Sequence, residues 1–143
     1  YRLAMSIELI PLCTVDITLG EQVFVGAGGA GMRVIAEVAT ATLTGERISA
    51  TLKGQSGADW VTVNGIIGVV DVRIAFETDD GAIIYVAYGG RIDFTNGPGP
   101  SPIYIAPTFE TGDDRYAWLN VVQAVGKGDL QGSDLTYEMY EVR

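Results

Sequence analysis

The chain has 143 residues, of which 48% are hydrophobic and 19% charged, a composition typical of one folded domain spanning 1–143 rather than of a disordered protein. The formal net charge of −9 and the scattered Lys and Arg residues disfavour a nucleic-acid partner. With no histidine and a single cysteine, Cys13, the sequence excludes Ser-His and Cys-His catalytic pairs and predicts no metal site, since zinc would have to be bound by carboxylates alone.

Helical periodicity is scarce, whereas β-branched residues alternate in short runs between Gly, Asn, Asp and Pro, a pattern typical of an all-β sandwich or barrel. No apolar run reaches the roughly 18 to 20 residues of a membrane helix. The N-terminal residues lack the basic and apolar blocks of a signal peptide. We therefore expect a cytoplasmic protein with no membrane partner. About nine or ten strands are predicted from eleven extended segments, which lie near Ser6–Pro11, Thr14–Leu19, Val23–Gly26, Met32–Thr42, Arg47–Gly54, Trp60–Val63, Ile66–Glu77, Ala82–Phe94, Ile103–Phe109, Ala117–Gly126 and Thr136–Val142.

The segment Gly26–Gly31 reads GAGGAG and matches the G-x-G-x-x-G pattern of dinucleotide-binding proteins. That fingerprint requires a helix to begin at its last glycine, so that the helix N-terminus faces the pyrophosphate. The residues that follow are rich in β-branched side chains, and Thr40–Thr44 alternates as a strand does. We therefore expect a strand after Gly31, a glycine loop rather than a dinucleotide site, and no cofactor.

Four longer segments carry a family resemblance: GERISATLKGQSGADW at Gly45–Trp60, GVVDVRIAFETDDGAIIYVAYGG at Gly68–Gly90, PTFETGDDRYAWLNVVQAVGKG at Pro107–Gly128 and TYEMYEV at Thr136–Val142. In this order they resemble the family catalogued as domain of unknown function 3237, which comprises small microbial and fungal proteins. The resemblance implies an antiparallel, closed or nearly closed β-barrel of calycin-like appearance. It implies no particular reaction, because the family has no uniform activity.

The sequence TDDG at Thr78–Gly81 predicts a tight hairpin with Asp80 and Gly81 as a two-residue loop. In that register Arg73 pairs with Tyr88, and Asp71, Arg73 and Tyr88 share one face of the hairpin. If this face is buried, the three side chains must satisfy one another, because an unpaired buried charge is costly.

Two interpretations of this set remain open. In the catalytic one, Asp71 is a general base, Arg73 holds it or a substrate oxyanion, and Tyr88 donates a proton. In the structural one, Asp71 and Arg73 form an ion pair that locks the hairpin.

A second candidate set consists of Trp60, Trp118 and Asn120, of which the last two lie on one face of a predicted strand by their spacing of two. An indole and an amide suit an aromatic or carbonyl-bearing ligand. Core packing is the alternative role for Trp118.

These residues lead to three hypotheses about function. The favoured one is a cofactor-independent enzyme of cyclase, isomerase or lyase type that acts on a small hydrophobic or aromatic, oxygenated metabolite. The others are a non-catalytic barrel that binds a lipophilic molecule and a structural, oligomer-forming domain. We also expect a homo-oligomer, a dimer in the simplest case, because both faces of the predicted hairpin are largely apolar and one of them must be hidden from water.

Overall fold

The computed structural model describes residues 5–143, which form ten strands and one 3-10 helix (η1). Their bounds are β1 Leu9–Gly28, β2 Gly31–Thr44, β3 Ser49–Leu52, β4 Ala58–Asn64, β5 Ile67–Thr78, β6 Ile83–Asp93, β7 Ser101–Ile105, β8 Thr108–Glu110, η1 Asp114–Val121, β9 Ala124–Gln131 and β10 Asp134–Val142. None of the helical structure in residues 5–143 is long and apolar enough to cross a membrane.

Eight of the strands close into an antiparallel ring in the order β5, β4, β2, β1, β10, β9, β7 and β6, and the pairing of β5 with β6 completes it. The short strand β3 pairs with β2 and β5, and β8 pairs with β6. Closure of the ring satisfies main-chain groups that an open sheet would leave at its edges. The predicted all-β, antiparallel and closed arrangement of about nine or ten strands is thus confirmed, with ten strands in one sheet and eight of them in the closed ring.

The hydrophobic core fills the ring, because alternate side chains of each strand point inward. Its largest fully buried side chains come from strands all around the ring and from η1: Tyr137, Phe76, Leu43, Ile74, Ile84, Ile103 and Leu119.

The N-terminal strands differ from the prediction. The segments predicted near 6–11, 14–19 and 23–26 belong largely to one long strand, β1, which bends at three irregularities in its pairing with β2. β-bulges of this kind let one strand follow a curved sheet without ending. Beyond Leu19 only β2 pairs with β1 among the described residues, so that the hairpin Leu19–Val38 continues past the end of the β1–β10 pairing, while its second strand stays paired with β4 from Met32 to Glu37. We call this hairpin the arm. It contains the GAGGAG segment, and the predicted strand after Gly31 is confirmed as β2.

The register predicted for the β5–β6 hairpin is wrong by one residue. Its loop has three residues, because Thr78 N–H donates to the carbonyl of Ala82 at 2.8 Å and Gly81 takes a positive φ of 91°. Tyr88 therefore pairs with Val72, and its side chain lies inside the ring. Asp71 and Arg73 lie on the opposite, outer face, where both are exposed. A slip of one residue exchanges the two faces of a strand.

The outer face of this hairpin is also more polar than the sequence analysis predicted. It presents exposed Asp71, Arg73 and Arg91 to solvent, while the inner face packs into the core. Self-association thus stays a prediction, and the polar outer face of this hairpin gives it no support.

The interior leaves no room for a side chain at Gly128, which pairs with Tyr137. A Cβ atom there would overlap the carbonyl oxygen of Thr136 and lie 2.8 Å from Cδ1 of Tyr137. We predict that Gly128→Ala lowers the free energy of unfolding by about 1–3 kcal/mol, as overpacking does. Chemical denaturation measures this change. Gly112→Ala is the control, since a Cβ at the exposed Gly112 would meet nothing within 4 Å, and an equal effect of both substitutions would contradict the prediction.

Candidate functional site

A carboxyl group lies on the inner face of the ring. Asp59 on β4 pairs with Ala36 of β2 and with Val72 of β5, and Val72 pairs in turn with Tyr88 of β6. Paired residues of neighbouring strands point to the same side of a sheet. Because Ala36, Val72 and Tyr88 are buried in the ring, Asp59 faces the interior with them.

A break in the β4–β5 ladder holds this carboxyl group. Pairing of the two strands stops after Asp59–Val72 and resumes at Thr62–Val69. Within the gap, the main-chain N–H of Asp71 donates to Oδ1 of Asp59 at 3.0 Å. A side chain thus takes the place of a main-chain acceptor, which fixes the orientation of the carboxyl group.

Burial raises the pKa of Asp59 from its usual 3.8 to about 6, because a low-dielectric environment disfavours the charged form. The hydrogen bond from Asp71 N–H lowers this pKa, and the charge of the Asp71 carboxylate raises it further. Asp59 consequently exchanges its proton close to neutral pH.

Two buried phenols accompany Asp59. The rings of Tyr88 and Tyr137 meet edge to face with centroids 5.7 Å apart, and their exposed fractions are 5% and 2%. Burial raises the pKa of both phenols, and the negative charge of Asp59 raises them further. The interaction of the two phenols with each other raises the pKa of Tyr88 and lowers that of Tyr137. Both groups stay protonated at neutral pH and can act as hydrogen-bond donors.

The interior cluster of Asp59, Tyr88 and Tyr137 therefore combines one group that accepts or releases a proton near neutrality with two neutral donors. In an apolar surrounding, such donors stabilise negative charge on an oxygen atom more strongly than they would in water. Residues 5–143 contain no group of three acidic or sulfur ligands placed to bind a metal ion.

The structure separates the predicted catalytic residues. Tyr88 lies in the interior cluster, whereas Asp71 and Arg73 point outward. The Arg73 guanidinium stacks on the ring of Trp60, 4.5 Å from its centroid. The premise of a buried Asp71–Arg73 pair is wrong, since the three-residue turn places both residues on the solvent side.

The predicted binding residues Trp60, Trp118 and Asn120 are also apart. Trp60 is half-buried on the outer face of β4, where its carbonyl accepts a hydrogen bond of 2.7 Å from Arg33. Trp118 and Asn120 belong to η1 and not to a strand, so their spacing of two does not put them on one face. Trp118 is covered by the guanidinium of Arg47, 4.4 Å from its ring centroid.

Asn120 has a local structural role instead. Its amide accepts from Thr111 N–H at 2.8 Å and donates to the Thr111 carbonyl at 3.0 Å. These two bonds tie η1 to the segment that follows β8.

The two ends of the ring differ. Helix η1 covers one end: Leu119 is fully buried in the core, and Tyr116 donates to Asp80 in the β5–β6 turn at 2.9 Å. The other end, where the arm projects, is bordered by partly buried apolar side chains that pack on the core, which we call the collar: Leu19, Val34, Val63, Phe94 and Leu130.

Asp59 and Tyr137 were not recognised in the sequence, although a signal existed for each. Asp59 stands two residues before Val61 and four before Val63, so simple alternation places a carboxyl group on the same face as two valines. Tyr137 alternates in the same way with Leu135 and Met139. The pairing across the ring that brings these residues together is not visible in local alternation.

The raised pKa of Asp59 predicts a measurable cost in stability. The unfolded chain releases this proton near pH 3.8 and the folded chain near pH 6, so folding becomes less favourable as the pH rises through this window. The full cost at neutral pH is about 3 kcal/mol. We predict that Asp59→Asn, which keeps an acceptor for Asp71 N–H, is more stable than the wild type at pH 7.5, with the gain vanishing near pH 4.

Urea unfolding of both proteins across this pH range measures the difference. Comparison with the wild type cancels the opposite pH dependence of Asp113, whose pKa is lowered to about 2 by Arg115. Asp129→Asn, on an exposed site of β9, is the control. If the gain in free energy of unfolding from Asp59→Asn did not vary with pH, the raised pKa of Asp59 would be refuted.

Comparison with known proteins places this chain in a family. A beta-barrel like protein of Acinetobacter baumannii superposes with a TM-score of 0.89 at 26% identity over all of both chains. An enzyme from Penicillium herquei superposes with a TM-score of 0.76 at 22% identity over 99% of each chain, which shows a common fold. The UPF0311 protein blr7842 of Bradyrhizobium diazoefficiens is 35% identical over 123 residues, which cover 74% of this chain and 77% of the relative. The family described as Protein of unknown function (DUF3237) matches residues 7–142, and the chain belongs to it.

Proposed function

We propose that this protein is a cofactor-independent acid–base enzyme, of isomerase, cyclase or lyase type, acting on a small hydrophobic oxygenated molecule bound at the interior cluster. The observation that carries the proposal is the half-buried Asp59 carboxyl group on the inner face of the ring, with a pKa of about 6, beside two buried phenols. General bases work best when their pKa lies near the working pH. Burial of a carboxyl group costs stability, and such groups are concentrated at functional sites.

In the proposed reaction, Asp59 takes a proton from a carbon next to a carbonyl group, or from a phenolic O–H. The electron pair of the broken bond moves toward the carbonyl or phenol oxygen, where negative charge develops. Tyr88 and Tyr137 donate hydrogen bonds to that oxygen. Asp59 then returns the proton to a different atom, which completes an isomerisation without any oxidant or reductant. In the cyclase variant, a substrate hydroxyl deprotonated by Asp59 adds to a carbon–carbon double bond conjugated with the carbonyl, and Asp59 returns the proton to the carbon next to the carbonyl. In the lyase variant, the enolate formed by Asp59 expels an oxygen substituent from the β-carbon, and that oxygen leaves with the proton that Asp59 took.

Asp71 has an indirect role in this scheme. Its main-chain N–H orients Asp59, and its exposed carboxylate raises the pKa of Asp59. Its side chain lies on the outer face and does not reach the interior. Asp71 is therefore a positioning residue, and Arg73 packs on Trp60 outside the site.

The alternative function is a non-catalytic barrel that binds a lipophilic molecule. The apolar collar at the arm end favours it, since binding sites for small apolar molecules are lined mainly by apolar side chains. The ionisable cluster distinguishes the two functions, because a carrier of apolar ligands gains nothing from a buried carboxyl group. Among the proteins of similar fold, the Penicillium herquei protein is an enzyme, so this fold is compatible with catalysis.

Proton exchange tests the proposal without knowledge of the natural substrate. We expect the wild type to accelerate deuterium incorporation next to the carbonyl of β-tetralone in D2O, followed by NMR. Asp59→Asn should lower the rate by about two to four orders of magnitude. Tyr88→Phe and Tyr137→Phe should lower it less, since one donor remains in each.

Asp71→Asn is the matched control. It should keep most of the activity, and the acidic limb of its pH–rate profile should move to lower pH, because the charge that raises the pKa of Asp59 is gone. Wild-type exchange no faster than buffer, or full exchange by Asp59→Asn, would end the catalytic proposal.

A further inference from the structure

The inner face of the arm continues the sheet on which Asp59 lies. Gln22 of β1 pairs with Ala36 of β2, and Ala36 pairs with Asp59 of β4. The three side chains therefore form one row on the same face. Two strand spacings separate Gln22 from Asp59, about 10 Å between their main chains, and only the methyl group of Ala36 lies between them.

The next row toward the tip of the arm is apolar. Phe24 pairs with Val34, and Val34 pairs with Val61. Phe24 is 71% exposed, and Met32, on the same inner face two residues before Val34, is 44% exposed. Large apolar side chains left in solvent beside a site are typical of a binding surface.

Charge is segregated between the two faces of the arm. Arg33 and Glu37 alternate with Val34 and Ala36 and so point outward; Arg33 bonds to the Trp60 carbonyl, and Glu37 borders an outer groove together with Glu21. The described inner face of the arm is composed of Leu19, Gln22, Phe24, Ala27, Met32, Val34, Ala36 and Val38. A ligand on this face therefore meets one amide and apolar groups, and no cation that would bind a carboxylate or phosphate.

We propose that Gln22 and Phe24 are substrate-binding residues that select a neutral aromatic ketone or phenol. This inference rests on the proposed function, since it places the reactive group of the substrate at Asp59. The ring of Phe24 packs on the body of the substrate, above the collar. The amide of Gln22 hydrogen-bonds a second oxygen, across the methyl group of Ala36. Because Ala36 between them is small, a ligand that lies over it can contact both Gln22 and Asp59.

The requirement for a neutral substrate follows from the same arrangement. An anionic ligand would approach a chain of net charge −9 and would lie beside Asp59 with no compensating cation. Like charges in a site of low dielectric repel strongly. Carboxylates and phosphates are therefore disfavoured.

Binding of β-naphthol, followed by its fluorescence and by amide chemical shifts of the protein, tests this inference. We expect β-naphthol to shift the amide signals of Gln22, Phe24 and Val61, and to bind at least about tenfold more tightly than β-naphthoate, a difference of about 1.4 kcal/mol. Phe24→Ala should weaken binding by about tenfold or more, and Gln22→Ala should weaken it less.

Two substitutions serve as controls. Val23→Ala removes an exposed apolar side chain from the outer face of the same strand, and Gln55→Ala removes an amide that borders the outer groove; both should leave binding unchanged. Equal effects of Phe24→Ala and Val23→Ala, equal binding of naphthoate, or no binding of β-naphthol in the millimolar range would overturn the inference.

These outcomes are separable from failure of the proposed function. If Asp59→Asn abolishes proton exchange while Phe24→Ala and Gln22→Ala leave the KM for β-tetralone unchanged, the function stands and the inference is wrong. If the naphthol results hold while Asp59→Asn exchanges at the wild-type rate, the arm binds a ligand and the catalytic proposal is wrong.

Discussion

The turn between β5 and β6 is the constraint on which the interior of this protein depends. Thr78 fixes this turn with three hydrogen bonds. Its main-chain N–H donates to the Ala82 carbonyl, and its hydroxyl accepts from Ala82 N–H at 2.8 Å. The same hydroxyl donates to the Asp80 carboxylate at 2.6 Å. The result is a three-residue loop with Gly81 at positive φ. This loop sets the register of the two strands that close the ring. It thereby decides that Tyr88 points into the core while Asp71 and Arg73 point to solvent.

The same closure explains how one carboxyl group can be kept inside an apolar ring. A buried charge without partners is too costly to retain, and Asp59 has a partial solution in the N–H of Asp71, made available by the gap in the β4–β5 ladder. The remaining cost appears as a pKa near 6. Proteins that keep such a destabilising carboxyl group commonly do so for function, since an apolar residue at the same place would make the ring more stable.

The general architecture could be predicted from the sequence, because alternation of β-branched residues and the order of the family motifs are local signals. The strand after Gly31 followed from the same logic. The site could not be predicted, for two reasons. A single residue of loop length reversed the face of Tyr88, and local patterns do not count loop residues reliably. The segment around Trp118 and Asn120 alternates well enough to resemble a strand, yet the Asp113 side chain accepts from Arg115 N–H and begins a 3-10 helix there instead.

A direct titration of Asp59 is the most informative measurement for the account as a whole. The side-chain carboxyl carbon of Asp59, assigned by comparison with Asp59→Asn, can be followed by NMR as the pH is varied. The account predicts a midpoint of about 6, with the ring signals of Tyr88 and Tyr137 shifting at the same pH because they sense the charge of Asp59. A midpoint near the usual 3.8, with no response from either tyrosine, would contradict it.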